Sequence, residues 1–419
     1  MRSSPPRSER CELEGKEVDM SSTTQKKSHI LLTGVTGFVG KVVLEELLRR
    51  REELALERID VLIRPGRRGE VPSTRFENEV AVSPCFAQLR SDWRQMVHVV
   101  AGDLSEKGAG LDAAVRSDLT GRLTHIIHCA ASVDFDLPLE QAATANIIGA
   151  IEVLNLAQEC EGLASMISTS TAYVTPHRGD GTVVREELVD LPRPAEEIFA
   201  SIVAGTADTK SLLRETGHPN TYTLTKCLCE HILMARKGTV PLTIVRPSTV
   251  SASWRHPVPG WIDSHAAFAG FVALIGAGWL RTVVARPDSV LDVVPCDEVA
   301  KRLVDSAYLV SDEERKNQPI RHAVAGIENS CTIRECVERI TGFFNEHPVD
   351  RRAKVNYLGP SNPKFHYIEW QRQIAPGAVA RTWLGATGRH RQRRRVRKLT
   401  DRLGYLNRAF PYFTHNTFD

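Results

Sequence analysis

The sequence predicts an α/β protein built on a doubly wound parallel sheet, and three observations carry that reading. From about residue 28 to 255, short apolar runs alternate with amphipathic stretches. The runs are four to eight residues long and rich in Val, Ile and Leu, as strands buried on both faces are. A strand–helix–strand rhythm then needs right-handed crossovers, which lay the strands parallel with helices above and below. The chain has 419 residues, 42% apolar and 25% charged, enough for one large core and a smaller region beside it.

The elements follow in order. "HILLTG" (29–34) is the first strand, and "FVGKVVLEELLRRREE" (38–53) repeats its apolar residues at helical spacing. Further strands are expected at "IDVLI" (59–63), "VHVVAGD" (97–103), "THIIHCAA" (124–131), "LASMISTS" (163–170) and "PLTIVRPS" (241–248). Helices are expected at "TANIIGAIEVLNLAQEC" (144–160) and "LTKCLCEHILMAR" (224–236). A polar, Pro-containing insertion interrupts the rhythm at 175–215, and residues 255–345 read as a smaller region beside the sheet. The substrate-binding part of a domain spanning 28–345 is expected mainly in those two segments. Residues 346–419 form a basic region expected to be helical, with "GRHRQRRRVRK" at 388–398.

Residues 1–27 are Ser, Pro and charge without the apolar stretch of a secretory signal; a disordered leader is expected, with Met20 an alternative start. Nine cysteines show no C-x-x-C spacing, which fits reduced thiols of a cytoplasmic protein and offers no metal site. A net charge of +3 is too small to argue for nucleic acid. The longest apolar run, 266–279, has 14 residues, too few to span a bilayer.

"LLTGVTGFVGK" places Gly34, Gly37 and Gly40 between a strand and a helix. One glycine permits the tight turn, one lets backbone approach a pyrophosphate, and one lets helix and strand pack closely. The amides of Thr36, Gly37, Phe38 and Val39 then point from a helix N-terminus at an anion. This context makes the sheet Rossmann-type and the ligand a dinucleotide. At the end of the second strand, where an acid would accept from a ribose 2′-hydroxyl, stands Arg64, with Arg67 and Arg68 beyond. A guanidinium there suits a 2′-phosphate, so NADPH is the expected cofactor and Arg64 its selector. Arg67 and Arg68 read equally as surface charge. Asp103, ending the third strand, reads either as an acceptor for the adenine amino group or as a turn former.

"YTLTK" puts Tyr222 and Lys226 on one helix face. A phenol with a pKa near 10 needs a neighbouring cation before it exchanges protons at neutral pH, and Lys226 would supply it while holding the nicotinamide ribose. The fifth strand should add a hydroxyl to orient a substrate carbonyl, Thr171 in preference to Ser170. Asn146 is read as holding a backbone group or water, or as purely structural. Pro247 and Val250, after the sixth strand, are placed to border the nicotinamide amide.

These residues resemble an extended short-chain dehydrogenase/reductase. "HIIHCAASVDFDLPLEQAATANIIGA", "STAYVTP", "YTLTKCLCE", "IVRPSTVSASWRHPVPGWID" and "DVVPCDEVA" are similar to successive blocks of fatty acyl-CoA reductases, over about residues 28–345. "YFTHNTFD" at 412–419 resembles the start of a motif in that family's C-terminal region. The resemblance implies NADPH-dependent reduction of a long-chain acyl-CoA through an aldehyde to a primary alcohol, with Thr171, Tyr222 and Lys226 catalytic. No acyl-enzyme is implied, so Cys129 and Cys227 read as small buried hydrophobes. A wall for the acyl chain or an ordinary core helix are the two readings of 266–279. The arginine run has three: an anionic membrane surface, the phosphates of CoA or an acidic acyl carrier protein, or a solvated face. A two-electron reductase releasing aldehyde from CoA or a carrier protein is the alternative within enzymes. Outside them stands a non-catalytic dinucleotide sensor, which would not need the Tyr–Lys pair.

Overall fold

The structure, a computed structural model, describes residues 27–66, 68–176, 183–264, 267–357, 363–371 and 375–387, together with Gln392, Arg397, Thr417 and Phe418. Seven strands form the central sheet: β1 (Ser28–Thr33), β2 (Leu56–Ile63), β3 (Val97–Ala101), β4 (His125–His128), β5 (Ser165–Thr169), β6 (Leu242–Pro247) and β7 (Ile320–Ala323). Their spatial order is β3-β2-β1-β4-β5-β6-β7, all parallel. Thr33 pairs with Leu62 on one side and His128 on the other. The order therefore reverses between β1 and β4, and the carboxyl ends of those strands open the crevice where such sheets bind ligands.

Helices cover both faces, as the alternation predicts. On one face α1 (Phe38–Arg49) lies beside α6 (Cys296–Tyr308); Leu44 and Leu47 share a core with Val299, Leu303 and Val304. Arg50 adds an ion pair to Asp305 at 2.7 Å. On the other face α2 (Ala113–Arg122), α3 (Gly149–Glu159) and α4 (Thr221–Arg236) bury Leu119, Val153 and Leu228 in a second core.

Two segments differ from the sequence expectation. The region 255–345 is divided: α6 and β7 complete the main layers, and a small core holds the rest. That core joins α5 (Ala267–Gly276) to α7 (Ile333–Glu346) through Phe271, Ile275, Ile333 and Val337. A four-residue strand has too little length for its period to show. The insertion at 175–215 is likewise less peripheral than its polarity indicates. Its helices Ala195–Val203 and Thr209–Thr216 bury Ile198, Ile202 and Leu212 in the second core. The buried Phe271 and Ile275 favour the core-helix reading of 266–279, and no helix among the described residues is long and apolar enough to cross a membrane. The leader, Arg67 and nearly all of the arginine run lie outside the described residues.

Candidate active site

The glycine loop is built as its spacing requires. Gly34 has φ +79°, and a Cβ there would lie 2.6 Å from the Ala130 nitrogen. A Cβ on Gly40 would lie 2.2 Å from the Gly34 carbonyl oxygen, so neither position accepts a side chain. Gly37 caps α1 without a side-chain hydrogen bond, which leaves the first-turn amides to donate to an anion. The side chains of Phe38 and Val39 pack against the core, so what they offer an anion is their backbone amide.

A cavity of about 550 Å³ opens over this loop, lined by Gly34, Thr36, Gly37, Arg64, Arg75 and Asp103 among others. These residues fit a dinucleotide: a side-chain-free cradle for the pyrophosphate, two guanidinium groups at the β2 end, and a carboxylate at the β3 end. Asp103 does form a turn, its Oδ1 accepting from the Ser105 amide at 3.0 Å and hydroxyl at 2.7 Å. Burial pushes its pKa up, but the bonds from Ser105 and the charge of Arg64 outweigh this and hold it below the usual range. Sequence reading missed Arg75, eleven residues past Arg64. Its Nη1 donates to the Arg64 carbonyl at 2.8 Å while its other nitrogens pair with Glu79. The signal was Pro72, which starts the short helix Pro72–Phe76 and turns Arg75 back toward the strand end.

The candidate reacting groups stand after β5 and in the first turns of α4, outside the residues that line this cavity. Asn220 caps α4 by accepting from the Thr223 amide at 2.9 Å, and the Thr221 hydroxyl ties the first turn to the Leu137 carbonyl at 2.8 Å. Tyr222, in that turn, is 9% exposed and stacks on Phe135 at 5.4 Å. Burial pushes its pKa up to about 12, with the neighbouring Thr171 side chain pulling against it. Thr171 opens a single turn, Ala172–Val174, after β5; its Oγ1 accepts from the Tyr173 amide at 3.3 Å and donates to the Pro247 carbonyl at 3.5 Å. Ser170 is buried too, but its hydroxyl finds no partner among the described residues.

The Lys226 ammonium donates to the Thr169 carbonyl at 2.7 Å, and the side chain that lowers the phenol's pKa is that of Thr171. Burial lowers the Lys226 pKa. Asn146 bridges two elements: its Oδ1 accepts from the Ser132 amide at 2.8 Å and its Nδ2 donates to Thr225 at 3.0 Å. It therefore holds the loop after β4 against α4. Val250 lies in Thr249–Ser251, paired with Val293–Pro295. Cys227 is fully buried and its thiol pKa is pushed up by burial, while Cys129 lines the cavity with its own pushed up to about 11 by the same cause.

The Trp-to-Asp block sits against α1. Asp297 accepts from the amides of Trp254, Arg255 and His256 at 2.8 to 3.1 Å, which fixes the loop. Trp261 then packs on Phe38 at 5.7 Å, and Asp263 pairs with Lys41.

Sheet order and glycine cradle define a Rossmann-type dinucleotide-binding fold, with Thr171, Tyr222 and Lys226 carried after β5 and on α4. A sequence-family profile described as Male sterility protein matches residues 32–303. Fatty acyl-CoA reductase 1 of Gallus gallus is 32% identical over 400 residues, covering 93% of this chain and 75% of that protein. Fatty acyl-CoA reductase wat of Drosophila melanogaster is 29% identical over 403 residues, covering 94% and 75%. The chain belongs to the fatty acyl-CoA reductase family. Among solved structures, the terminal R domain from the myxalamid PKS-NRPS biosynthetic pathway superposes with a TM-score of 0.58 at 23% identity, over 79% of this chain and 71% of that one. The reductase domain of a nonribosomal peptide synthetase from Mycobacterium tuberculosis does so with 0.55 at 18% identity, over 85% and 78%. Both likenesses bear on fold.

Proposed function

We propose that the protein reduces a long-chain fatty acyl-CoA to the primary alcohol with release of CoA, using NADPH. The observation that carries this is the glycine-cradled crevice in a chain of this family, with Thr171 after β5 and buried Tyr222 in the first turn of α4. The reduced nicotinamide, when bound, supplies hydride to the thioester carbonyl and, from a second molecule, to the aldehyde. Thr171 and Tyr222 hold the carbonyl oxygen, and Tyr222 gives its proton as negative charge develops there. Collapse of the resulting hemithioacetal expels CoA thiolate and leaves the aldehyde, whose oxygen takes the same place in the second round. Lys226 holds the ribose and assists the return of a proton to Tyr222. Arg64, with Arg75 behind it, receives the 2′-phosphate.

The test follows NADPH oxidation with palmitoyl-CoA, quantifying free thiol and organic products together. Two NADPH consumed per thiol, with hexadecanol formed, is the expected result. One NADPH per thiol with aldehyde accumulating replaces it with a two-electron reductase. NADPH binding without turnover overturns the reading.

A further inference from the structure

Phe418 lies far along the chain from the reacting groups, yet it is 1% exposed. Thr417–Phe418 pairs in parallel with Val183–Val184, within the insertion. The Phe418 ring meets Tyr173 edge-on at 5.7 Å and His322 at 5.6 Å, in a small cluster with Ala172 and Val184. The other walls of this cluster are tied elsewhere. Buried Arg246 donates to the carbonyls of Arg185 and Glu187 at 3.2 and 2.9 Å, and the His322 amide donates to Glu186 at 2.5 Å.

The wall formed by Tyr173 is the one that bears on chemistry. Its backbone amide donates to Thr171 Oγ1, and its phenol shares a hydrogen bond of 2.8 Å with Thr249. Tyr173 is thus clamped by its hydroxyl at one end and by Phe418 across its ring. Rotation of that turn would move the Thr171 hydroxyl relative to Tyr222. We infer that Phe418 is a positioning residue for the Thr171–Tyr222 pair: it fills the hollow bounded by Tyr173, Val184 and His322 and so fixes the turn that carries Thr171. This rests on the roles proposed above for Thr171 and Tyr222. It gives the segment resembling a family motif a physical task that its position in the sequence does not disclose.

The experiment compares the full chain with Phe418→Ala and Phe418→Leu. A displacement of about 1 Å in a reacting group is enough for a hundredfold loss, so Phe418→Ala should lower kcat about tenfold or more. Its Kd for NADPH should stay within about twofold, because the glycine cradle is untouched. Phe418→Leu, which refills most of the hollow, should regain most of the rate. Amide exchange should quicken in Phe418→Ala across residues 168–175 and stay unchanged across 28–37. Equal kcat and equal exchange in Phe418→Ala and the parent would overturn the inference. So would a joint fall of kcat and NADPH affinity in Phe418→Leu, which would mark a general folding role. If the parent itself fails to reduce palmitoyl-CoA, the functional reading falls, and the exchange comparison alone then decides whether Phe418 holds the turn.

Discussion

The ammonium of Lys226 donates to the carbonyl oxygen of Thr169 at 2.7 Å, on the last residue of the strand that leads to Thr171. One cation therefore secures the strand end two residues before Thr171. Tyr222→Phe keeps the stacking on Phe135 and removes only the proton. It should lower kcat by about a hundredfold or more with NADPH affinity retained. Lys226→Met should lower kcat and also weaken NADPH binding, because it removes both the proposed ribose partner and the Thr169 tie. Steady-state kinetics beside a fluorescence titration separates the two patterns.

The arginines at the β2 end set a second expectation. A charge-assisted bond contributes about 1.5–3 kcal/mol, or roughly ten- to a hundredfold in affinity. Arg64→Ala should raise the KM for NADPH by about that factor and leave NADH nearly unchanged. Arg75→Ala should give a smaller effect of the same kind, since its guanidinium is shared with Glu79 and the Arg64 carbonyl. Paired kinetics with both dinucleotides checks the ratio.

The glycines separate by the space around them. Gly40→Ala puts a methyl group 2.2 Å from the Gly34 carbonyl oxygen, whereas at Gly37 the same contact is 3.2 Å. Gly40→Ala should abolish dinucleotide binding and lower the Tm, and Gly37→Ala should weaken binding with the fold intact. Calorimetric titration beside thermal melts checks both.

Arg246 and Glu230 form an ion pair, 0% and 2% exposed, at 2.5 and 2.9 Å. Glu230→Gln leaves a buried guanidinium without its counter-charge and should cost about 3–5 kcal/mol. Replacing both by Met and Leu should recover only part, because the Arg185 and Glu187 carbonyls then lose their donors. Urea unfolding of the two variants decides it.

Among the described residues, four buried histidines shape the acid response. Burial lowers the pKa of His125, His218 and His322 to about 4 and of His128 to about 3, against an ordinary value of 6.5. Between those values and 6.5 the unfolded chain binds more protons, so stability falls as pH falls through that window. Each histidine contributes up to about 1.4 kcal/mol per pH unit. Glu45, raised to about 7 by burial, acts in the opposite sense but is one group against four. The urea midpoint should therefore drop steeply from pH 6.5 to 4.5.

The sheet was legible because its first six strands are apolar runs between amphipathic stretches, and their observed bounds fall within a few residues of the expected ones. β7 was not, since four residues carry no period. The glycine cradle was legible from its spacing together with the strand before and the helix after it, and the Tyr222–Lys226 helix face from its spacing together with that loop upstream. Arg75 and Phe135 were not, because each reaches its place through a loop whose course depends on the finished fold. Asp297 illustrates the same limit: its carboxylate fixes amides some forty residues earlier, a relation that no local pattern encodes.

The pairing of α1 with α6 has a consequence in time. Leu44 and Leu47 are covered by residues made some 250 positions later. At about 5–20 residues per second, a ribosome takes on the order of half a minute to supply that cover. Throughout that interval the helix that begins at the glycine cradle packs only on the earlier part of this core, strands β1 and β2 and residues 76–93, and lacks the helix that completes the layer.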